Sequence, residues 1–146
     1  MTEVETTESS LTINRTFDAS PERLWRAFTD PDELAQWYAP GDMTAEIHSW
    51  AATPDGELDI SMVDEDGSHD AEGIFTEVSE NERLVHTWTW THVDDPVETR
   101  ITVEFVPVED GTEVVLTHEG HPDAETTENN AGGWSGVFEN LEELLA

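Results

Sequence analysis

Apolar and polar residues alternate from Leu11 to Phe17, the period-two pattern of a strand with one buried face. The period then changes. Ser20-Pro21-Glu22-Arg23 supplies an N-cap followed by proline at the first helical position. Beyond it Leu24, Ala27 and Phe28 share one helix face, with Trp25 beside them. Asp30-Pro31-Asp32-Glu33 starts a second short helix, which carries Leu34, Trp37 and Tyr38 at i, i+3 and i+4. Pro40-Gly41 ends it.

Period two then returns six times. The predicted strands centre on Met43-Ala45-Ile47, Leu58-Ile60-Met62 and Ala71-Gly73-Phe75, then on Leu84 to His92, Val97 to Phe105 and Val114 to His118. Between them lie turn sequences such as Thr53-Pro54-Asp55-Gly56, Asp64-Glu65-Asp66-Gly67 and Glu109-Asp110-Gly111. Successive hairpins of this kind make an antiparallel meander. The chain closes on an apolar stripe of Trp134, Val137, Phe138, Leu141, Leu144 and Leu145, a long helix with a possible start near Asp123-Ala124-Glu125. The Gly132-Gly133 pair is its weak point.

These elements predict an α+β fold. A curved antiparallel sheet of about seven strands carries two short helices on one connection and grips one long C-terminal helix. That helix is the only element long enough to cover the apolar face of the sheet. A curved sheet closed over one helix often leaves a cavity between them. Residues 1–9 are polar and acidic and are expected to form a disordered tail, leaving 10–146 as one domain.

Composition changes the picture mainly through charge. The 146 residues include 35 acidic and 5 basic ones, a formal net charge of -30. All the basic residues are arginines: Arg15, Arg23, Arg26, Arg83 and Arg100. Such an imbalance strains a compact state in dilute buffer. At about 1 M salt, with a Debye length of roughly 3 Å, the repulsion is largely screened. The composition therefore reads as adaptation to an extremely saline cytoplasm. A disordered acidic chain is the alternative, but 6 tryptophans and regular apolar patterning argue against it. Phosphate backbones and anionic membranes need clustered Lys and Arg, so neither is an expected partner. With no cysteine, disulfides and thiolate chemistry are excluded. The opening MTEVETTESS lacks the basic and apolar regions of a secretory signal, and no run approaches the ~20 apolar residues of a membrane span. A soluble, cytoplasmic protein is expected.

Several motifs occur in a fixed order. Arg15 through Pro31, with its Phe17-Asp18-Ala19-Ser20-Pro21-Glu22-Arg23-Leu24-Trp25 core, opens the series. Trp37 follows, then Gly73 to Glu77 as G-x-x-x-E, and Glu82 to Trp88 as ERLV-x-TW. Gly111-Thr112-Glu113-Val114 with Leu116-Thr117-His118, and Gly133-Trp134 with Leu141, close it. This set resembles the family related to the C-terminal domain of the activator of heat-shock protein 90 ATPase, within the START-like (SRPBCC, Bet v-like) helix-grip superfamily. The family's usual glycine pair after the second meander strand is missing, and only Gly56 stands there. The resemblance implies a helix-grip fold with an apolar cavity for a hydrophobic or lipid-like ligand. It also implies a chaperone as an alternative partner, in a stress-response role. Some START-like relatives catalyse reactions in the cavity.

The residues offer few candidates for chemistry. Leu84, His86, Trp88, Trp90 and His92 share one strand face. They read either as the aromatic wall of a ligand cavity, with His86 as its polar handle, or as ordinary core. The cavity reading takes Phe75, His86, Trp88 and Trp90 from the strands, adds His118 from the last strand, and takes Trp134 and Phe138 from the helix. His118 and His121 form H-x-x-H, but at a strand end entering a loop, so no metal and no cofactor is expected. Carboxylate pairs such as Glu142-Glu143 read as solvated surface. Ser61, Ser68 and Ser135 have no nucleophile context. No catalytic residue is assigned. Were the protein an enzyme, only His86 and His118 could serve as acid or base.

Overall fold

The computed structural model describes residues 2–146, with side chains from residue 3 onward. The strands are β1 (Thr2–Thr6), β2 (Ser10–Phe17), β3 (Thr44–Trp50), β4 (Glu57–Asp64), β5 (Gly67–Ser79), β6 (Arg83–Trp90), β7 (Glu98–Val108) and β8 (Gly111–Glu119). Three helices complete the chain: α1 (Pro21–Thr29), α2 (Pro31–Trp37) and α3 (Ala124–Leu145). All strand pairs are antiparallel, and the sheet order is β1-β2-β8-β7-β6-β5-β4-β3. The fold is the expected helix-grip arrangement, with eight strands where the alternation predicts seven.

The additional strand is β1, which replaces the expected disordered tail. Thr2 pairs with Arg15, and the register runs to Thr6 opposite Leu11. Thr2, Val4 and Thr6 are β-branched at alternate positions, which suits a strand whatever its charge. The turn is pinned locally, because the Ser10 N–H donates to Thr7 Oγ1 at 3.0 Å and the Thr7 N–H donates to the Ser10 carbonyl at 2.8 Å.

Both short helices begin at a proline behind a capping residue. Ser20 accepts the Arg23 N–H, and Asp30 accepts the Asp32 N–H. The carbonyls at the end of α1 have no helical partners. Two indoles supply them: Trp37 Nε1 donates to the Ala27 carbonyl and Trp50 Nε1 to the Phe28 carbonyl, each at 3.0 Å. These bonds tie α2 and β3 to the end of α1. Asp123 caps α3 through the Thr126 N–H at 2.8 Å. The helix runs unbroken through Gly132-Gly133, held by Ala131, Trp134, Val137, Phe138 and Leu141 on its buried face. Tertiary packing of that face outweighs the glycine pair's low propensity.

The core lies between the concave sheet face and the helices. Leu11 and Ile13 of β2, Ile101 of β7 and Val114 and Leu116 of β8 are fully buried, as are Phe138 and Leu141 of α3. Each of the five arginines reaches at least one carboxylate. Glu33 takes both Arg23 (2.5 Å) and Arg26 (2.7 Å), and Arg83 reaches Glu77 (3.1 Å) and Glu104 (3.4 Å). Arg100 meets Glu119 at 2.5 Å, and Arg15 meets Glu142 of α3.

Candidate functional site

A cavity of about 470 Å³ opens between the first half of α3 and the ends of β4, β5 and β6. Its apolar wall includes Met62, Trp88, Trp90, Trp134 and Val137, with Met43 and Pro40 at the α2–β3 connection. Polar groups sit towards its edge: His69, His92, Asn129 and Asn130. Trp90 Nε1 donates to Asn130 Oδ1 at 3.4 Å, joining sheet to helix across the cavity.

One hydrogen-bond chain orders the deep wall. Trp134 Nε1 donates to His118 Nδ1 at 3.2 Å. An indole nitrogen only donates, so His118 Nδ1 carries a lone pair and the proton sits on Nε2. Nε2 then donates to Thr99 Oγ1 at 2.7 Å, and Thr99 Oγ1 donates to the Trp88 carbonyl at 2.6 Å. Every proton in the chain is thereby assigned. Burial holds the His118 pKa well below the usual histidine value, and the nearby His121 and His86 add to that effect. A second proton on His118 would also destroy its bond from Trp134.

Trp88 is 1% exposed, and its indole N–H has no acceptor among the described residues. A buried donor without an acceptor costs about 1–3 kcal/mol. His121 Nε2 is likewise buried without a partner, and its ring lies 4.3 Å from that of His118.

Of the residues singled out in the sequence, Trp88, Trp90, His118 and Trp134 line this cavity. Phe75, His86 and Phe138 do not; they are closed in the core at 0%, 2% and 0% exposure. All seven face inward, the five strand residues as the alternation requires and Trp134 and Phe138 from the buried face of α3. The far end of the concave face, however, is filled by Tyr38 and Trp50, whose rings stack edge-on at 5.3 Å. Trp50 also packs on Phe75 (5.6 Å) and His86 (5.8 Å), and Phe138 packs on Phe17 (5.7 Å). His86 is therefore a core residue. Its Nδ1 donates to the Thr87 carbonyl at 2.9 Å, and burial pushes its pKa down to about 4 against that bond. Both inward histidines are neutral near pH 7, with ring N–H groups already committed.

Sequence reasoning put His92 on the aromatic face but passed over Met43, Met62, His69, Val93, Asn130 and Val137 as cavity residues. Two signals were present. Met62 continues the inward face of Leu58 and Ile60, and Asn130 lies one helical turn before Trp134. His69 carried no signal, because a turn sequence hides which way it points. The H-x-x-H pair does not present two free nitrogens, since both ring nitrogens of His118 are bonded. Among the described residues no group of three or more His, Cys, Asp or Glu is placed to hold a metal ion, and no helix is long and apolar enough to cross a membrane.

The sheet gripping α3 and the cavity between them define a helix-grip protein of the START-like class. The model of the family described as Activator of Hsp90 ATPase homolog 1-like protein matches residues 18–146, and the chain belongs to that family. Solved structures agree. A Chromobacterium violaceum protein is 27% identical, with 94% of this chain and 96% of that one aligned and a TM-score of 0.88. The AHSA1 protein of Silicibacter pomeroyi is 25% identical over 94% of this chain and 97% of its own, with a TM-score of 0.84. An Arthrobacter aurescens protein shares the fold at a TM-score of 0.86 and 22% identity, over 98% of this chain and 90% of that one. No curated protein matches the chain.

Proposed function

We propose that the protein is a binding module for a small hydrophobic or lipid-like molecule. The observation behind this reading is the cavity of about 470 Å³ between sheet and helix, walled by tryptophan, methionine and valine side chains. That volume lies within the roughly 300–1,000 Å³ typical of small-molecule sites. Trp90, Trp134, Met43, Met62 and Val137 would enclose the apolar body of the ligand. The His118–Thr99 chain holds Trp134 and the Trp88 backbone in place without offering a free proton, which favours binding over acid–base catalysis.

The test is a titration of intrinsic tryptophan fluorescence with medium-chain fatty acids, sterols and aromatic ketones, at low and at molar salt. Saturable changes that vanish in Trp90→Ala support the reading. Flat responses across the panel at both salt levels sink it.

The family match supports a second reading, that of a chaperone partner. An affinity-purified complex containing a heat-shock ATPase would support it, and its absence at high and low salt would remove it. We infer further that the acidic surface is an adaptation to a cytoplasm of molar ionic strength. Carboxylates such as Glu57 and Glu98 occupy exposed strand positions while the concave face stays apolar.

A further inference from the structure

We propose that His69 and His92, at the edge of the cavity, form a two-histidine site for a divalent transition-metal ion of the imidazole-preferring class. His69 belongs to β5, and His92 follows β6 on the neighbouring strand. His69 Nδ1 faces His92 Nε2 at 3.2 Å, and the rings are nearly perpendicular at 4.8 Å. The outer nitrogens have their own partners. His92 Nδ1 donates to the Asp70 carbonyl at 3.4 Å, so His92 Nε2 is a lone pair. In the metal-free protein His69 Nδ1 donates to that lone pair, and a cation would displace the shared proton and bridge the two nitrogens. His69 Nε2 lies 3.9 Å from the Asp64 carboxylate, close enough to support that nitrogen as the protonated one once a cation takes Nδ1.

The spacing suits a metal. Two imidazole nitrogens on one tetrahedral zinc, each at about 2.0–2.1 Å, lie about 3.3 Å apart. A carboxylate and a backbone carbonyl behind the ligating rings are the usual outer supports of such histidines. Only two protein ligands are present, so the remaining positions would be filled by water or by a donor group of a cavity occupant. Both rings line the cavity, which puts those open positions at its mouth. The nearby Asp70 carboxylate is engaged elsewhere, its Oδ1 accepting from Ser61 (2.6 Å) and Ser68 (2.5 Å).

The test needs no organic ligand. Zinc chloride is titrated calorimetrically into the protein with magnesium in large excess, so that surface carboxylates are occupied by an oxygen-preferring ion. One zinc equivalent per chain is expected. His69→Gln and His92→Gln should each weaken it roughly tenfold or more, in line with the loss of one ligand from a small site. His121→Gln should leave it unchanged. Both substituted rings are solvent-exposed, so circular dichroism should confirm an intact fold in each variant. Zinc binding that magnesium abolishes would overturn the proposal, as would binding unaffected by either substitution or lost in His121→Gln.

Discussion

Trp134 of α3 donates its indole proton to His118 Nδ1 of β8, and this one contact fixes the tautomer of a histidine buried beneath the cavity. The bond couples helix position to the proton inventory of the sheet. Trp134→Phe leaves His118 Nδ1 buried without a donor, and is expected to cost about 2 kcal/mol or more, the desolvation penalty plus lost packing. Thr99→Val removes the other end of the same chain. Combined, the two should be non-additive by about 0.5–3 kcal/mol, as members of one network are. Denaturant melts of the three variants measure this; strict additivity would show that the chain does not act as a unit.

Phe138 and Trp90 separate core from cavity. Phe138→Ala is expected to destabilise by about 3–5 kcal/mol, because the site is closed on all sides. Trp90→Ala removes a half-buried side chain beside existing space and should cost distinctly less. Ligand response should show the reverse order, with Trp90→Ala losing it and Phe138→Ala, where folded, retaining it.

His86 gives the protein an acid limit. In the fold burial keeps its pKa near 4, whereas the unfolded chain takes up the proton near 6.5. Between those values the unfolded state binds more protons, so stability is complete above pH 6.5 and falls as pH drops towards 4. The loss from His86 alone is about 3 kcal/mol. His118, also shifted downward, acts in the same direction. Protonating carboxylates relieves repulsion and opposes the trend, so the comparison is with His86→Phe. Relative to that variant, the natural protein should lose about 2 kcal/mol between pH 7 and pH 5. Parallel curves would remove the assignment.

Salt should act in the opposite sense to acid. With a net charge of -30, the thermal midpoint is expected to rise steadily towards molar sodium or potassium chloride. A midpoint already maximal in dilute buffer would show that the surface charge is no burden to the fold.

The order of elements was legible because each strand between 10 and 119 exposes one face to water and buries the other, and because prolines mark both short helices. β1 was hidden behind its own composition. A strand with a single neighbour needs only alternating β-branched residues and a closing turn, and the glutamates between them masked both. The split between core and cavity was not legible. Alternation says which side of the sheet a residue faces, and Phe75, His86, Trp88 and Trp90 face the same side. Whether space remains there depends on what covers it, and Tyr38 and Trp50 fill one end from other parts of the chain. The unpartnered Trp88 proton and the His118 tautomer come from contacts between residues far apart in sequence. Gly73 shows a motif gaining a cause: a Cβ there would lie 2.0 Å from the Thr87 carbonyl, so the glycine lets β5 and β6 approach.

Tyr38 touches Trp37, Trp50, Trp88 and Trp134 with ring centroids 5.1 to 6.0 Å apart, and Trp88 continues the series to Trp90 at 5.3 Å. Rings held at fixed angles and this spacing share their electronic excitations. The protein should accordingly show an intense near-ultraviolet circular dichroism band pattern that belongs to the assembly and not to any single ring. A molecule wedged between Trp90 and Trp134 would retune that pattern as a whole, giving the chain an optical reporter of its own interior.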